Sequence, residues 1–177
     1  KKEQNYEKEL NFLTKGHKSF FDSKREKFEL GVKYCFQDVK QISESVTVIK
    51  TKKVCKNEIK PIFIIGVPRC GSTLVEKIIG SGVKFIPMGE ETSVLENFKN
   101  KKIVEKKSLV IGEDNQINDE LTEIYKQKGL IFKNYDYRFT DKSLNNFFYL
   151  ELIKDIYPNS KIINCKRDSL SSIMSIF

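Results

Sequence analysis

The stretch Ile62-Phe63-Ile64-Ile65-Gly66-Val67-Pro68-Arg69-Cys70-Gly71-Ser72-Thr73-Leu74-Val75-Glu76-Lys77-Ile78-Ile79 decides the fold. Its first four residues are apolar and mostly branched. A run this short reads as a strand buried on both faces, as in a parallel sheet. Leu74, Val75, Ile78 and Ile79 recur at helical spacing and predict one apolar stripe. Gly80-Ser81-Gly82 closes that helix. The loop between strand and helix carries Gly66, Gly71, Ser72 and Thr73. Loop amides and a helix N-terminus that converge on one point make an anion cradle.

Working outward, Lys161-Ile162-Ile163-Asn164-Cys165 reads as another buried strand. Lys166-Arg167-Asp168 turns it into a last helix from Ser169 onward, with Asp168 or Ser169 able to cap. Residues 83 to 86 read as a short strand. Helices are predicted over 93–100, 117–128 and 144–157, the last ended by Pro158-Asn159. Residues 101–107 form a charge run, read as a solvated face. Upstream, residues 5–43 are helical, with Leu10, Leu13, Phe20, Phe28, Val32, Phe36, Val39 and Ile42 at three-to-four spacing. Gly16 or the Asp22–Ser23 pair is expected to break this into two helices. His17 reads as a surface residue near that turn. Strands alternating with helices predict an α/β fold with a parallel sheet. The domain reading is a helical segment over 1–45, a linker over 46–60 and the α/β unit over 61–177. No stop signal follows the last helix before Phe177, so the chain is expected to be part of a longer one.

Composition narrows the function classes. The chain has 177 residues, 39% of them hydrophobic, with 13 Phe and seven Tyr. That supplies a core and argues against general disorder. The net charge is +8, which would suit a polyanion partner. Only four of the 32 basic residues are Arg, however: Arg25, Arg69, Arg138 and Arg167. The rest are scattered Lys, and no nucleic-acid recognition motif accompanies them. No nucleic-acid partner is therefore expected. The few Arg positions gain interest, because Arg binds phosphate and sulfate bidentately. The longest unbroken apolar run, Ile62 to Val67, is too short for a membrane helix. Cys35, Cys55, Cys70 and Cys165 show no zinc spacing, and His17 is the single histidine. No metal is expected. Four thiols without a framework fit a reducing compartment, hence a cytoplasmic location.

Two sites carry most of the chemistry. Gly66…Gly71-Ser72-Thr73 nearly matches the phosphate loop GxxxxGK[ST], but Ser72 stands where that loop needs Lys. Such a site binds a phosphate yet handles a different leaving group, with Arg69 supplying the missing charge. Arg167 lies at the carboxyl end of the second strand, where open α/β sheets place ligands. Ser175 follows eight residues later, about two helical turns on, and can face the same side. Gly89-Glu90-Glu91-Thr92 and Asp141-Lys142 are individually weaker signals.

Together these residues resemble the sulfotransferases that use 3′-phosphoadenosine 5′-phosphosulfate. The likeness is to the branch with the protein-tyrosine sulfotransferases and the bacterial members linked to tetratricopeptide repeats. The family's 5′-phosphosulfate loop reads G-x-P-R-S-G-T-T-L; here it is Gly66-Val67-Pro68-Arg69-Cys70-Gly71-Ser72-Thr73-Leu74. Its 3′-phosphate segment is matched by Arg167-Asp168-Ser169 and Ser175, and its D-K-x-x-x-N segment by Asp141, Lys142 and Asn146. Gly89-Glu90-Glu91-Thr92 resembles the stretch that holds the catalytic base. Cys70, Ser72 and Ser169 depart from the usual Ser, Thr and Pro without removing a ligand.

The resemblance covers residues 61–177. It implies an incomplete P-loop NTPase-like three-layer domain, truncated at its C-terminus and preceded by a short helical segment resembling a last repeat. It implies sulfuryl transfer to a hydroxyl or amine acceptor, borne by protein tyrosine, a glycan or a small molecule. Arg69, Lys142 and Glu91, with Glu90 the near alternative, take the catalytic roles. Arg69, Cys70, Gly71, Ser72, Thr73, Leu74, Arg167 and Ser175 hold the donor. The competing readings are a P-loop nucleotide kinase or NTPase without its Lys, and a degenerate, non-catalytic interaction module.

Overall fold

A computed structural model of the chain describes residues 5–38, 41, 48–50, 58–105, 109–111, 116–132 and 137–175. The expectations for Val39, Ile42 and Phe177, and most of those for 44–57, lie outside these residues.

The decisive stretch folds as read. β2 (Ile62–Gly66) buries Phe63, Ile64 and Ile65, and α2 (Ser72–Gly80) follows the loop. Successive strand side chains point to opposite sheet faces, so β2 feeds two cores. Phe63 enters the larger one with Leu121, Tyr125, Phe139, Ile153 and Tyr157. Ile64 enters a smaller one with Cys70 and Cys165, against which Val75 and Ile79 of α2 pack. The large core is aromatic at its centre, with the Tyr125 and Phe139 rings 4.6 Å apart and tilted. Rings packed at an angle gain from their quadrupoles beyond the area they bury.

β2 is the middle strand of a three-stranded sheet ordered β4–β2–β5, with β4 at Thr140–Asp141 and β5 at Lys161–Cys165. Both pairings are parallel, and Gly66 pairs with Cys165. A second parallel pair joins β1 (Val48–Lys50) to β3 (Leu109–Ile111), so a strand lies inside the stretch read as a linker. The remaining helices are α1 (Tyr6–Lys33), α3 (Val94–Val104), α4 (Gln116–Gln127), α5 (Leu150–Ile156) and α6 (Ser169–Met174). The α/β class with a parallel sheet is thus present.

Several local expectations are corrected. α1 is one continuous helix of 28 residues, capped by Asn5, whose side chain accepts from the Lys8 amide at 3.1 Å. Gly16 does not break it, and Asp22 and Ser23 sit mid-helix: Asp22 pairs with Arg25 at 2.7 Å, and the Ser23 hydroxyl donates to Phe20 O. A single interior Gly weakens a helix by about 1 kcal/mol without ending it. His17 is exposed, in the middle of α1 rather than at a turn. α1 has no buried residue; Phe21 and Phe28 stack on its surface at 5.4 Å. The Tyr34 hydroxyl, in the π-helical turn after α1, donates to Glu96 on α3.

β5 is not buried on both faces: Lys161, Ile162 and Asn164 are exposed, because the strand is an edge among the described residues. The apolar stripe of α2 is also rotated. Leu74 and Ile78 are 64% and 62% exposed, while Glu76, between Val75 and Lys77, is buried. Residues 83–86 form no strand; Met88 makes a parallel bridge to Thr140 instead. The helix read over 144–157 opens as a 3₁₀ turn, Leu144–Tyr149, before α5 begins. The Asn145 and Asn146 side chains there donate to Glu96 and Asp141. Within the described part of the charge run, Lys102 is half-buried and donates to Glu120 at 2.6 Å, with its ammonium over the Phe98 ring.

Candidate functional site

The carboxyl ends of β2 and β5 lie side by side, with Gly66 paired to Cys165. Gly66 is required by close approach. A Cβ there would stand 2.6 Å from the Cys165 carbonyl oxygen and 2.7 Å from the Cys70 sulfur. Gly66→Ala is expected to destabilise the chain by about 1–3 kcal/mol, read by urea denaturation. An unchanged midpoint would mean the loop re-forms elsewhere.

Cys70 turns its side chain under the loop, beside Cys165; both thiols are free and buried. Burial pushes the Cys165 thiol up, and the neighbouring Cys70 adds to it. The Cys70 amide bonds to Val67 O at 3.2 Å, closing the first turn of the loop. Arg69 and Gly71 then take positive φ angles of 66° and 94°. Gly71 is the N-cap of α2 and makes no side-chain cap bond. The first amides of a helix have no partner in its own ladder, which leaves Ser72 and Thr73 as donors at the cradle. Leu74 already donates its amide to Gly71 O at 3.0 Å.

The two Arg motifs meet. Arg69 Nε donates to Ser175 O at 3.0 Å, and Arg167 Nη1 donates to Arg69 O at 3.1 Å. Asp168 caps α6, its Oδ2 accepting from the Ser171 amide at 2.8 Å. Backbone and hydroxyl donors from Ser171 hold the Asp168 carboxyl below its usual range. Ser175 is the C-cap of that six-residue helix, which brings it back toward the loop.

A second group lies at the end of β4. Lys142 Nζ is 3.8 Å from Glu91 Oε1 and 4.0 Å from Glu76 Oε2. The Lys142 side chain is buried, while that of Glu91 is 60% exposed. Glu90 is held by its backbone: its amide donates to Glu76 Oε1 at 3.0 Å, and its carbonyl accepts from Lys142 N at 2.8 Å. Of the two candidate bases, Glu91 therefore faces the lysine ammonium. Asp141 faces the other way. Its carboxylate is fully buried and accepts from Thr92, Tyr125, Ser143 and Asn146. Asn146 is thus an inner anchor for Asp141.

Sequence reasoning missed Glu76, Tyr125 and Thr140, and named Thr92 only as part of the Gly89–Thr92 run. The one signal for Glu76 was a carboxylate set among the apolar Leu74, Val75, Ile78 and Ile79 of the helix.

The sequence pattern of the sulfotransferase family matches residues 61–177. The chain belongs to the sulfotransferase family. The match begins at Pro61, one residue before β2, and contains every candidate site residue of the chain. An uncharacterized protein of Aquifex aeolicus (strain VF5) is 30% identical over 125 residues. The alignment covers 66% of this chain and 16% of that protein. The chain therefore spans only a small part of the length of this relative. Among the described residues of this family member, no three His, Cys, Asp or Glu side chains gather to hold a metal ion. No helix among them is long and apolar enough to cross a membrane.

Proposed function

We propose that residues 61–177 carry the donor-binding and reacting part of a sulfotransferase. It moves a sulfuryl group from 3′-phosphoadenosine 5′-phosphosulfate to a hydroxyl or amine acceptor, on a protein tyrosine, a glycan or a small molecule. The observation that carries this reading is the junction of Arg69, Arg167 and Ser175 at the paired ends of β2 and β5. Two cations from separate motifs meet there beside a helix N-terminus, which suits a ligand with two separated phosphates.

The residues divide the work by position. The cradle of Cys70, Gly71, Ser72, Thr73 and Leu74 binds the 5′-phosphate through backbone and hydroxyl donors. Arg167 and Ser175 grip the 3′-phosphate. The donor supplies an activated sulfuryl group, whose transfer resembles phosphoryl transfer in depending on positioning and charge. Arg69 and Lys142 meet the negative charge on the reacting oxygens. Glu91, exposed and facing Lys142, accepts the proton of the acceptor; Glu90 is the nearby alternative. The reading needs no metal and no nucleic acid. Free, buried Cys70 and Cys165 support a reducing, cytoplasmic setting. The apolar surface that α1 shows at Phe20, Phe21 and Phe28 fits reading 1–45 as the end of a tetratricopeptide-like region, whereas the unbroken α1 is not the helix–turn–helix of a whole repeat.

The test is a thermal-shift titration of the full chain with 3′,5′-adenosine bisphosphate, with ATP–magnesium in parallel. Stabilisation by the bisphosphate and not by ATP is expected, and its loss in Arg167→Ala. Stabilisation by ATP alone would favour a kinase or NTPase. Silence toward both would favour a non-catalytic module.

A further inference from the structure

Glu76 is buried, with 2% of its surface exposed, on the helix that opens the anion cradle. It lies one helical turn after Ser72 and is the buried residue of α2. Its two oxygens serve two separate segments, the Glu90 turn and the Thr140–Lys142 stretch. Oε1 accepts from the Glu90 amide at 3.0 Å and from the Thr140 hydroxyl at 2.5 Å. Oε2 faces the Lys142 ammonium at 4.0 Å. Packing alone would favour an apolar side chain there, since Val75 and Ile79 on the same helix serve the smaller core. A buried ion pair adds little net stability over a well-packed apolar pair, but it fixes geometry when its lone pairs are satisfied.

We propose that Glu76 is a positioning residue for the transfer step. It ties Lys142 and the Glu90–Glu91 turn to α2, so that the cation, the base and the phosphate loop move as one body. The Thr140 hydroxyl orients the carboxylate by holding Oε1, which leaves Oε2 for the ammonium. This rests on Lys142 being the cation that meets the reacting group. Glu76 contacts neither donor nor acceptor, so its loss acts on turnover and not on donor binding.

The experiment compares wild type, Glu76→Gln, Lys142→Ala and the double variant in the full chain. Turnover is read as 3′,5′-adenosine bisphosphate formed from the donor, and binding as the Kd of the bisphosphate. Glu76→Gln is expected to lower kcat by about tenfold or more with donor KM within about twofold. Its bisphosphate Kd should stay within about twofold of wild type. In the Lys142→Ala background the same change should cost less than about twofold, because the two residues act through one interaction. A purely structural Glu76 would cost the same in both backgrounds, and that result overturns the proposal. So does normal kcat in Glu76→Gln. Normal kcat in Lys142→Ala would instead overturn the role of Lys142 itself. Should Glu76→Gln fail to fold, Thr140→Val carries the test. It removes one donor to Oε1 and should lower kcat about threefold or more without weakening bisphosphate binding; unchanged kcat there overturns the proposal.

Discussion

Arg69→Ala lowers turnover by about a hundredfold or more while the fold stays intact, since removing one such electrostatic contact typically costs about 3–4 kcal/mol in the transition state. The structure separates the two effects. Arg69 is exposed, and its side chain belongs to neither core. Its φ of 66° is a left-handed conformation that favours Gly over Arg. Gly would make this turn with less strain, and an Arg here fits the proposed use of its charge. One of its nitrogens is already bonded to Ser175 O, which holds the fork across the loop. Arg69→Gly should therefore match or exceed wild type in thermal stability and lose activity as fully as alanine. Arg69→Lys should recover only part, because an ammonium cannot make the bidentate contact. The measurements are kcat with the donor and a melting curve for each variant. Near-normal kcat in Arg69→Ala would remove Arg69 from the reaction.

Asp141→Ala unfolds the domain more readily than any other single change discussed above. Oδ2 accepts from the Thr92 hydroxyl at 2.6 Å and the Tyr125 hydroxyl at 2.8 Å. Oδ1 accepts from the Ser143 amide at 3.0 Å, the Ser143 hydroxyl at 2.6 Å and Asn146 Nδ2 at 3.0 Å. These partners come from the loop before α3, from α4 and from the 3₁₀ turn, so one carboxylate gathers three segments around β4. Burial pushes the Tyr125 phenol well up, with the Asp141 charge beside it adding to the effect, so Tyr125 stays a protonated donor at neutral pH. Each buried donor left without a partner costs about 1–3 kcal/mol. The expected loss is about 3 kcal/mol or more in urea denaturation, given several donors orphaned at once. Asp141→Asn should fall between, because its amide keeps one acceptor and turns a donor toward other donors. A loss below about 1 kcal/mol in Asp141→Ala would mean that the network re-forms around water. Lys142 follows Asp141 directly, so the same anchor places the lysine in the site.

The elements that were legible in sequence are those whose signal is local. β2, the loop and α2 follow from a branched apolar run, two glycines and a helical period. The β5–α6 turn follows from the same pattern repeated at Lys161–Ser169. Reading failed where neighbours outside the segment decided the outcome. α2 was expected to bury Leu74 and Ile78, yet those are exposed and Glu76 is inside, because two donors and the Lys142 ammonium meet its carboxylate. α1 was expected to break, but an exposed helix with no neighbour near Gly16 gives a turn nothing to pack against. The 144–157 helix opens as 3₁₀ where Asn145 and Asn146 are drawn to Glu96 and Asp141.

The sequence by itself determined the α/β class, the glycine-containing loop between β2 and α2 and the Arg residues beside it, because each rests on a few consecutive residues and their backbone preferences. Only the tertiary structure decided that Arg167 bonds to the Arg69 carbonyl across paired strand ends, that Glu91 and not Glu90 faces Lys142, and that Asp141 turns into a buried network while Glu76 faces Lys142. Those assignments depend on side chains separated by tens of residues, such as Thr140 and Glu76, 64 positions apart. No local pattern encodes such a pairing; it exists only once the sheet has closed the chain between them and desolvated both groups.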